Sequence, residues 1–159
     1  MRVRALMLMA VIGMLCILLS GCGKVDPSAP PVVRLGESVC DQCGMIVSDE
    51  RFASATIINA DRGPQTLIFD DFNCQMDFEA AHTGLDILTR WARDYTTLEW
   101  FHTRDAWFVS SPQLHTPMAS NLAAFKQHAD AQRTAEQLDG EAQDFATLWP
   151  AYPPPPGVP

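Results

Sequence analysis

The alternation of apolar and polar residues predicts a β-hairpin followed by a helix in the first half of the chain. Residues 52–60 alternate with several β-branched side chains, which is typical of a strand. A turn containing Gly and Pro follows, and residues 65–69 fit the returning strand. Asp70 or Asp71 can then cap a helix that runs to about residue 82.

The second half of the chain has a similar mixture of elements. Short strands are predicted at residues 88–95, 98–101 and 106–110, a helix at 129–138 and a final strand at 141–146. Residues 121–125 fit either a helical turn or a strand. Because strands and helices are mixed without a regular βαβ repeat, the predicted class is α+β. The order of hairpin, helix, strands, helix and strand suggests two similar halves.

The start of the chain has the pattern of an export signal. An arginine-containing segment precedes an almost wholly apolar run at residues 5–19, which is short for a membrane span. The run ends in Leu19-Ser20-Gly21-Cys22, which resembles the lipobox of bacterial lipoproteins. We therefore predict that residues 1–21 are removed and that Cys22 carries a lipid on its sulfur. The alternative is an ordinary secretory signal in which Cys22 has no role.

Composition divides the remaining chain into three parts. Residues 22–32 are rich in Pro, Ser and Ala and predict a flexible tether. Residues 33–149 are long enough for one domain with a modest core. Residues 150–159 are mostly proline and predict an extended tail.

The net charge of the chain is −8, and removal of Arg2 and Arg4 with the signal makes it about −10. An acidic chain with few Lys and Arg residues is a poor nucleic-acid binder. The charge is compatible with an exported domain that attracts cations or a basic partner.

Cysteine usage points to free or metal-bound thiols. Cys16 leaves with the signal and Cys22 is assigned to the lipid, so Cys40, Cys43 and Cys74 remain. An odd number of cysteines outside the cytoplasm cannot form a closed disulfide framework.

Three kinds of chemistry compete for the segment Cys40-Asp41-Gln42-Cys43-Gly44-Met45. Structural zinc needs four ligands, commonly from two such cysteine pairs, and the chain has no second pair. A thioredoxin-type redox pair begins a helix, whereas residues 45–47 resemble a strand. Monovalent copper prefers thiolate and thioether ligands, and Met45 adds a thioether to the pair.

Three further residues are candidates for the same site. Met118 follows Pro117 in a predicted loop, where an apolar side chain has no evident core role, so we interpret it as a ligand. Cys74 falls in the first turn of the predicted helix, where backbone N–H groups lower the pKa of a thiol. It can be a ligand or a small buried residue. His115 is a minor candidate, and Met76 is assigned to the core. No nucleophile–base pattern is present.

Five stretches in a fixed order resemble the NosL family of lipoprotein copper chaperones. They are the lipobox at Cys22, the segment 40–47, Phe69-Asp70-Asp71 with Cys74, Arg93-Asp94-Tyr95 with residues 106–109, and Pro117-Met118 with residues 122–125. The resemblance covers most of the predicted domain. It implies an α+β fold with two ββα-type halves, related to the organomercurial lyase fold.

The resemblance also implies a function and a ligand set. The family is implied to bind one Cu(I) ion through a cysteine and a methionine, with or without a third ligand. It is implied to deliver this ion in the periplasm to the nitrous oxide reductase maturation machinery, such as a membrane ABC-type complex. By position, Cys43 and Met118 are the first candidates, followed by Cys40, Met45 and Cys74.

Two departures from the family pattern affect this site. Ala119 stands where the family often has glycine, and Gln75 stands where it often has methionine. The resemblance predicts a carrier rather than an enzyme. The alternative is a thiol–disulfide oxidoreductase that acts on the cysteines of copper sites.

Overall fold

The computed structural model describes residues 25–151, and these form one small α+β domain with two antiparallel sheets. The predicted signal, the lipobox and the tail from residue 152 lie outside the described residues. The elements in chain order are β1 (Ser54–Ala60), β2 (Gly63–Phe69), α1 (Phe72–Ala81), β3 (Ile87–Arg93), β4 (Trp100–His102), a 3-10 turn (Thr103–Asp105), β5 (Trp107–Ser110), β6 (Leu122–Phe125), α2 (His128–Gln137), β7 (Glu141–Asp144) and α3 (Phe145–Ala151).

The two halves repeat one topology, as the order of elements suggested. In the first half, the β1–β2 hairpin leads into α1, and β3 returns to pair with β1 on the side away from β2. In the second half, the β5–β6 hairpin leads into α2, and β7 returns to pair with β5 on the side away from β6. The sheet orders are β2-β1-β3-β4 and β6-β5-β7. The predicted α+β class with two similar halves is confirmed.

Helix α1 packs against residues of both halves of the domain. Asp71 is its N-cap, with the carboxylate accepting a hydrogen bond from the Phe72 N–H at 2.7 Å. Phe72 and Met76 pack into the core between the two sheets, which includes Phe108. Met76 therefore has the core position that the sequence predicted. Other residues of α1 face β2 and the loop that contains the cysteine pair.

A buried carboxylate joins the two sheets. Asp94, directly after β3, accepts hydrogen bonds from the N–H groups of Thr97 at 2.8 Å and of Lys126, after β6, at 2.7 Å. The next residue, Tyr95, donates its N–H to the Ala124 carbonyl at 2.8 Å. These bonds fix the second sheet, and the loop before β6, relative to the first sheet.

The sequence prediction missed one helix. Residues 141–146 were predicted as one strand, but β7 ends at Asp144, whose carboxylate accepts the Thr147 N–H at 2.8 Å and caps α3. Trp149 of this helix packs against the core between the sheets. The ambiguous residues before the second helix form strand β6, because pairing with β5 satisfies their backbone groups.

Candidate metal site

Three cysteines that are far apart in the sequence meet at one point. The sulfur atoms of Cys40, Cys43 and Cys74 all lie within 4.8 Å of one another, and all three thiols are free. Cys40 and Cys74 are buried, whereas Cys43 is half-buried. The structure therefore brings together the three cysteines that the sequence selected.

The cysteine pair lies in the tip of a small hairpin. Val39 and Ile46 form an antiparallel bridge, and the Cys40 N–H donates to the Met45 carbonyl at 2.8 Å. The Gly44 N–H donates to the Cys40 carbonyl at 2.9 Å. Gly44 has a φ of 74°, a left-handed conformation that side chains with a Cβ disfavour. The pair does not begin a helix, so its placement differs from that of a thioredoxin-type pair.

Hydrogen bonds attach this hairpin tip to strand β2. The Asp41 N–H donates to the Ile68 carbonyl at 2.8 Å, and the Ile68 N–H donates to the Asp41 carboxylate at 2.6 Å. Just beyond the tip, the Ser48 N–H donates to the buried Asp70 carboxylate at 2.9 Å. These contacts place Cys40 against β2 and α1, where Cys74 lies.

The three thiols differ in acidity because of their hydrogen bonds. The Cys40 sulfur accepts a hydrogen bond from the Cys74 thiol. It also accepts hydrogen bonds from the backbone N–H groups of Cys43, Asp70 and Gln42. Together these donors lower the pKa of Cys40 to about 5. The same donation to Cys40 raises the pKa of Cys74. Burial raises the pKa of Cys43.

The expectation that the start of the helix lowers the pKa of Cys74 is wrong. Cys74 acts as a donor to Cys40 and is buried, and both effects favour its protonated form. The cluster therefore carries its first negative charge on Cys40.

Met118 packs against the cysteine cluster from the second half of the molecule. It contacts the group formed by Cys40, Leu67, Phe69 and Cys74. Its loop is held by the buried Asp71 carboxylate, which accepts the N–H groups of Met118 at 2.9 Å and Ser120 at 3.2 Å. The same carboxylate accepts the hydroxyl of Thr116 at 2.7 Å. The helix cap therefore also fixes the methionine loop.

A second side chain at the helix start ties Met118 to Cys74. The Asn73 side-chain amide donates to the Met118 carbonyl at 2.8 Å, and its oxygen accepts the Cys74 N–H at 2.8 Å. The loop is tight at this point, since Ala119 and Asn121 both have a φ of 56°. Ala119 stands at the position where the resemblance to the family predicts glycine, and the backbone there has the conformation that favours glycine.

The remaining candidates lie apart from the buried thiols. Met45 is 52% exposed, next to the hairpin tip, where its carbonyl accepts the Cys40 N–H. His115 is exposed. Cys22, the predicted lipidation site, lies outside the described residues.

The arrangement suits a soft metal ion with few ligands. Three sulfurs at about 2.3 Å from a central ion lie about 4 Å apart, so the observed cluster needs only small side-chain movements to bind one. Structural zinc sites have four ligands, and within residues 25–151 no carboxylate or histidine completes this cluster of three. Thiolates with an adjacent thioether favour monovalent copper.

Sequence reasoning missed the residues that support the site. Asp71 was identified only as a helix cap, and Asn73 and Asp41 were not selected. Besides bonds to the next residue, these side chains have partners 27 to 49 residues away, on segments whose position depends on the tertiary fold. The sequence signal was the density of Asp and Asn residues beside the cysteines.

Comparisons with known proteins concern the family and the fold. The NosL family model matches residues 31–153. The crystal structure of the copper chaperone NosL from Shewanella denitrificans superposes with a TM-score of 0.67 at 16% identity, covering 80% of this chain and 100% of that chain. At that identity the likeness concerns the fold. No curated protein matches the sequence.

Proposed function

Since the chain belongs to the NosL family, we propose that it is a Cu(I) carrier that binds one copper ion at the Cys40–Cys43–Cys74 cluster with Met118. The proposal rests on one observation, the convergence of three free sulfur atoms to within 4.8 Å. Met118 packs against the same cluster and offers a thioether. The copper chaperone from Shewanella denitrificans, which has the same fold, supports a role in copper transport.

The differences between the cysteines suggest how the ion enters and leaves. Cys40 supplies a thiolate at neutral pH, because its pKa is about 5. Cys43 is half-buried, so it is the sulfur that an approaching ligand of another protein can replace first. A site with few ligands suits such exchange, since an incoming sulfur can bind before an outgoing one leaves. This sequence of ligand exchange requires no bond-making enzyme chemistry, and we propose a carrier rather than an enzyme.

We further propose that the copper is delivered for assembly of the copper centres of nitrous oxide reductase. The support is the family membership together with the lipobox-like sequence at Cys22, which would hold the domain on the periplasmic face of a membrane. Within residues 25–151 none of the helices has the length and apolar character needed to cross a bilayer.

The direct experiment is a Cu(I) competition titration of the reduced protein against a colorimetric chelator. We expect one copper per chain, with affinity reduced by Cys40→Ser, by Cys43→Ser and by Cys74→Ser. Zn²⁺ should compete poorly, because the cluster lacks a fourth ligand of the kind zinc uses. Failure to compete with the chelator would overturn the carrier function.

The main alternative, a thiol–disulfide oxidoreductase, is tested on the same samples. Three thiols this close can also form a disulfide on oxidation. Equilibration of metal-free protein with glutathione redox buffers measures that potential. A readily reversible disulfide without copper affinity would favour the oxidoreductase.

Delivery is tested in cells that lack this chain. Nitrous oxide reductase from such cells should be poor in copper, and the wild-type chain should restore its copper content. The Cys40→Ser variant should fail to restore it although the protein is present in normal amount. A reductase with full copper content in the deletion cells would refute delivery while leaving copper binding intact.

A further inference from the structure

The first described residues do not project away from the domain. Val25 packs against the cluster of Ala55, Ile57 and Trp91, and Pro31 is buried. Ala55 and Ile57 alternate along β1 with Thr56, whose hydroxyl faces α1 through its bond to Gln75 at 2.8 Å. The segment 25–31 therefore covers the face of the first sheet that α1 leaves open.

Exposed apolar side chains are concentrated immediately after this segment. Within residues 25–151, six large apolar side chains are exposed, and five of them belong to residues 32–46. They are Val32, Leu35, Val39, Met45 and Ile46, with exposed fractions from 51% to 73%. Val39 and Ile46 face each other across the hairpin bridge. Large exposed apolar side chains this close together in the sequence are candidates for a contact surface.

The length of chain between the anchor and the packed segment limits where this surface can be. Only Gly23 and Lys24 separate Cys22 from Val25, and a fully extended chain covers at most about 11 Å over these three residue steps. If residues 22–32 were all free, the domain could move several times farther from the membrane.

We propose that the apolar side chains of residues 32–46 rest against the lipid bilayer to which Cys22 is anchored. This inference rests on the lipid anchor of the proposed function. The packed segment 25–31 acts as a fixed arm, so the anchor holds this side of the domain at the bilayer surface. Apolar side chains held at the bilayer surface can enter the boundary between the lipid headgroups and the acyl chains, where their burial is favourable.

The proposed orientation also places the copper site. The segment 25–31 lines a groove together with Ile57 of β1 and Ile68 of β2, and the Ile68 backbone pairs with Asp41 of the cysteine hairpin. The half-buried Cys43 therefore lies on the side of the domain nearest the bilayer. The protein that exchanges copper with it must reach the site along the membrane surface.

Quenching of tryptophan fluorescence by lipids with brominated acyl chains tests the orientation. Leu35→Trp places a reporter in the proposed contact surface of the full-length lipidated protein in phosphatidylcholine vesicles. Leu88→Trp is the matched control, because Leu88 is the exposed large apolar residue of the described chain outside residues 32–46. The unsubstituted protein gives the background of the native tryptophans, and circular dichroism confirms that each variant is folded.

We expect brominated lipid to quench the added fluorescence of Leu35→Trp at least several-fold more than that of Leu88→Trp. Equal quenching of the two reporters, or no quenching of Leu35→Trp in protein that sediments with the vesicles, would overturn the proposal. The second outcome would show that this surface does not enter the bilayer although the protein is membrane-bound. Protein that does not sediment with vesicles would refute both the anchor and this inference. The proposed copper binding would be unaffected by that result, because the titration tests it separately.

Discussion

The side-chain amide of Asn73 donates a hydrogen bond to the backbone carbonyl of Met118 at 2.8 Å. Its oxygen accepts the backbone N–H of Cys74. One side chain thus fixes the distance between the loop that carries the thioether and the helix turn that carries a thiol. Side chains that orient metal ligands affect the metal affinity although they do not bind the metal themselves.

Replacement of Asn73 should therefore weaken copper binding without unfolding the protein. We expect Asn73→Ala to lower the Cu(I) affinity by roughly 10- to 100-fold, as for other residues that support metal ligands. The loss of stability should be about 2 kcal/mol, because two hydrogen bonds with a net value of about 1 kcal/mol each are removed. Asn59→Ala is the matched control, because it removes an exposed side-chain amide bond to Asp86 in which no residue of the cysteine cluster takes part. A copper affinity that falls equally in both variants would contradict this role.

The thioether of Met118 is tested by a change that preserves its size. Met118→Leu keeps an apolar side chain against the cysteine cluster and removes only the sulfur, so its effect on stability should stay below about 1.5 kcal/mol. Its Cu(I) affinity should fall clearly. Met76→Leu, in the core beside Phe72, should leave the affinity unchanged. Met45→Leu should have a smaller effect than Met118→Leu, because Met45 is half exposed. Unchanged affinity of Met118→Leu would remove Met118 from the ligand set.

The conformation of Ala119 predicts a stabilising substitution. Its φ of 56° costs a residue with a Cβ roughly 1 kcal/mol relative to glycine, so Ala119→Gly should raise the free energy of unfolding by up to that amount. The greater freedom of glycine in the unfolded chain offsets part of this gain. The opposite change, Gly44→Ala, should destabilise the protein because Gly44 has a φ of 74°. Gly84→Ala is the control, with open space around its Cβ position and no positive φ. Denaturant unfolding of the three variants measures the difference.

The pKa of Cys40 predicts a characteristic pH dependence. In the reduced, metal-free protein, ultraviolet thiolate absorbance should rise in a step near pH 5, and Cys40→Ser should abolish that step. Because the folded-state pKa is below that of the unfolded chain, the stability that this thiolate contributes is present in alkaline solution and is lost as the pH falls through about 5. Cys43→Ser should retain the step, which distinguishes the two cysteines.

Copper affinity should also depend on pH, because the thiols of the cluster lose their protons when they bind the ion. Cys43 and Cys74 have raised pKa values and must release protons on binding, so affinity rises with pH over the neutral range. Below about pH 5, Cys40 is protonated as well, and the dependence becomes steeper by about a further tenfold per pH unit. A slope that is constant across pH 5 would show that Cys40 is not a copper ligand or does not ionise there.

Local sequence patterns gave most of the secondary structure. The alternation before Asp61, the turn after it and the Asp cap of α1 each reflect interactions within a few residues, so they are readable without the fold. Helix α3 was missed because it is short and follows a strand directly, with Asp144 as its only starting signal. The last two described residues of that helix had been assigned to the proline-rich tail.

The sequence by itself determined the chemistry available to this protein: cysteines at positions 40, 43 and 74, methionines at positions 45 and 118, and the family pattern that connects them to copper. Sulfur chemistry depends on residue type and is visible in the sequence. Only the tertiary structure decided which sulfurs share a site, because Cys40, Cys74 and Met118 meet through hydrogen bonds of Asp41, Asp71 and Asn73 to distant segments. It also decided that Cys40 rather than Cys74 is the acidic thiol, since a pKa depends on the donors that the fold places around each sulfur.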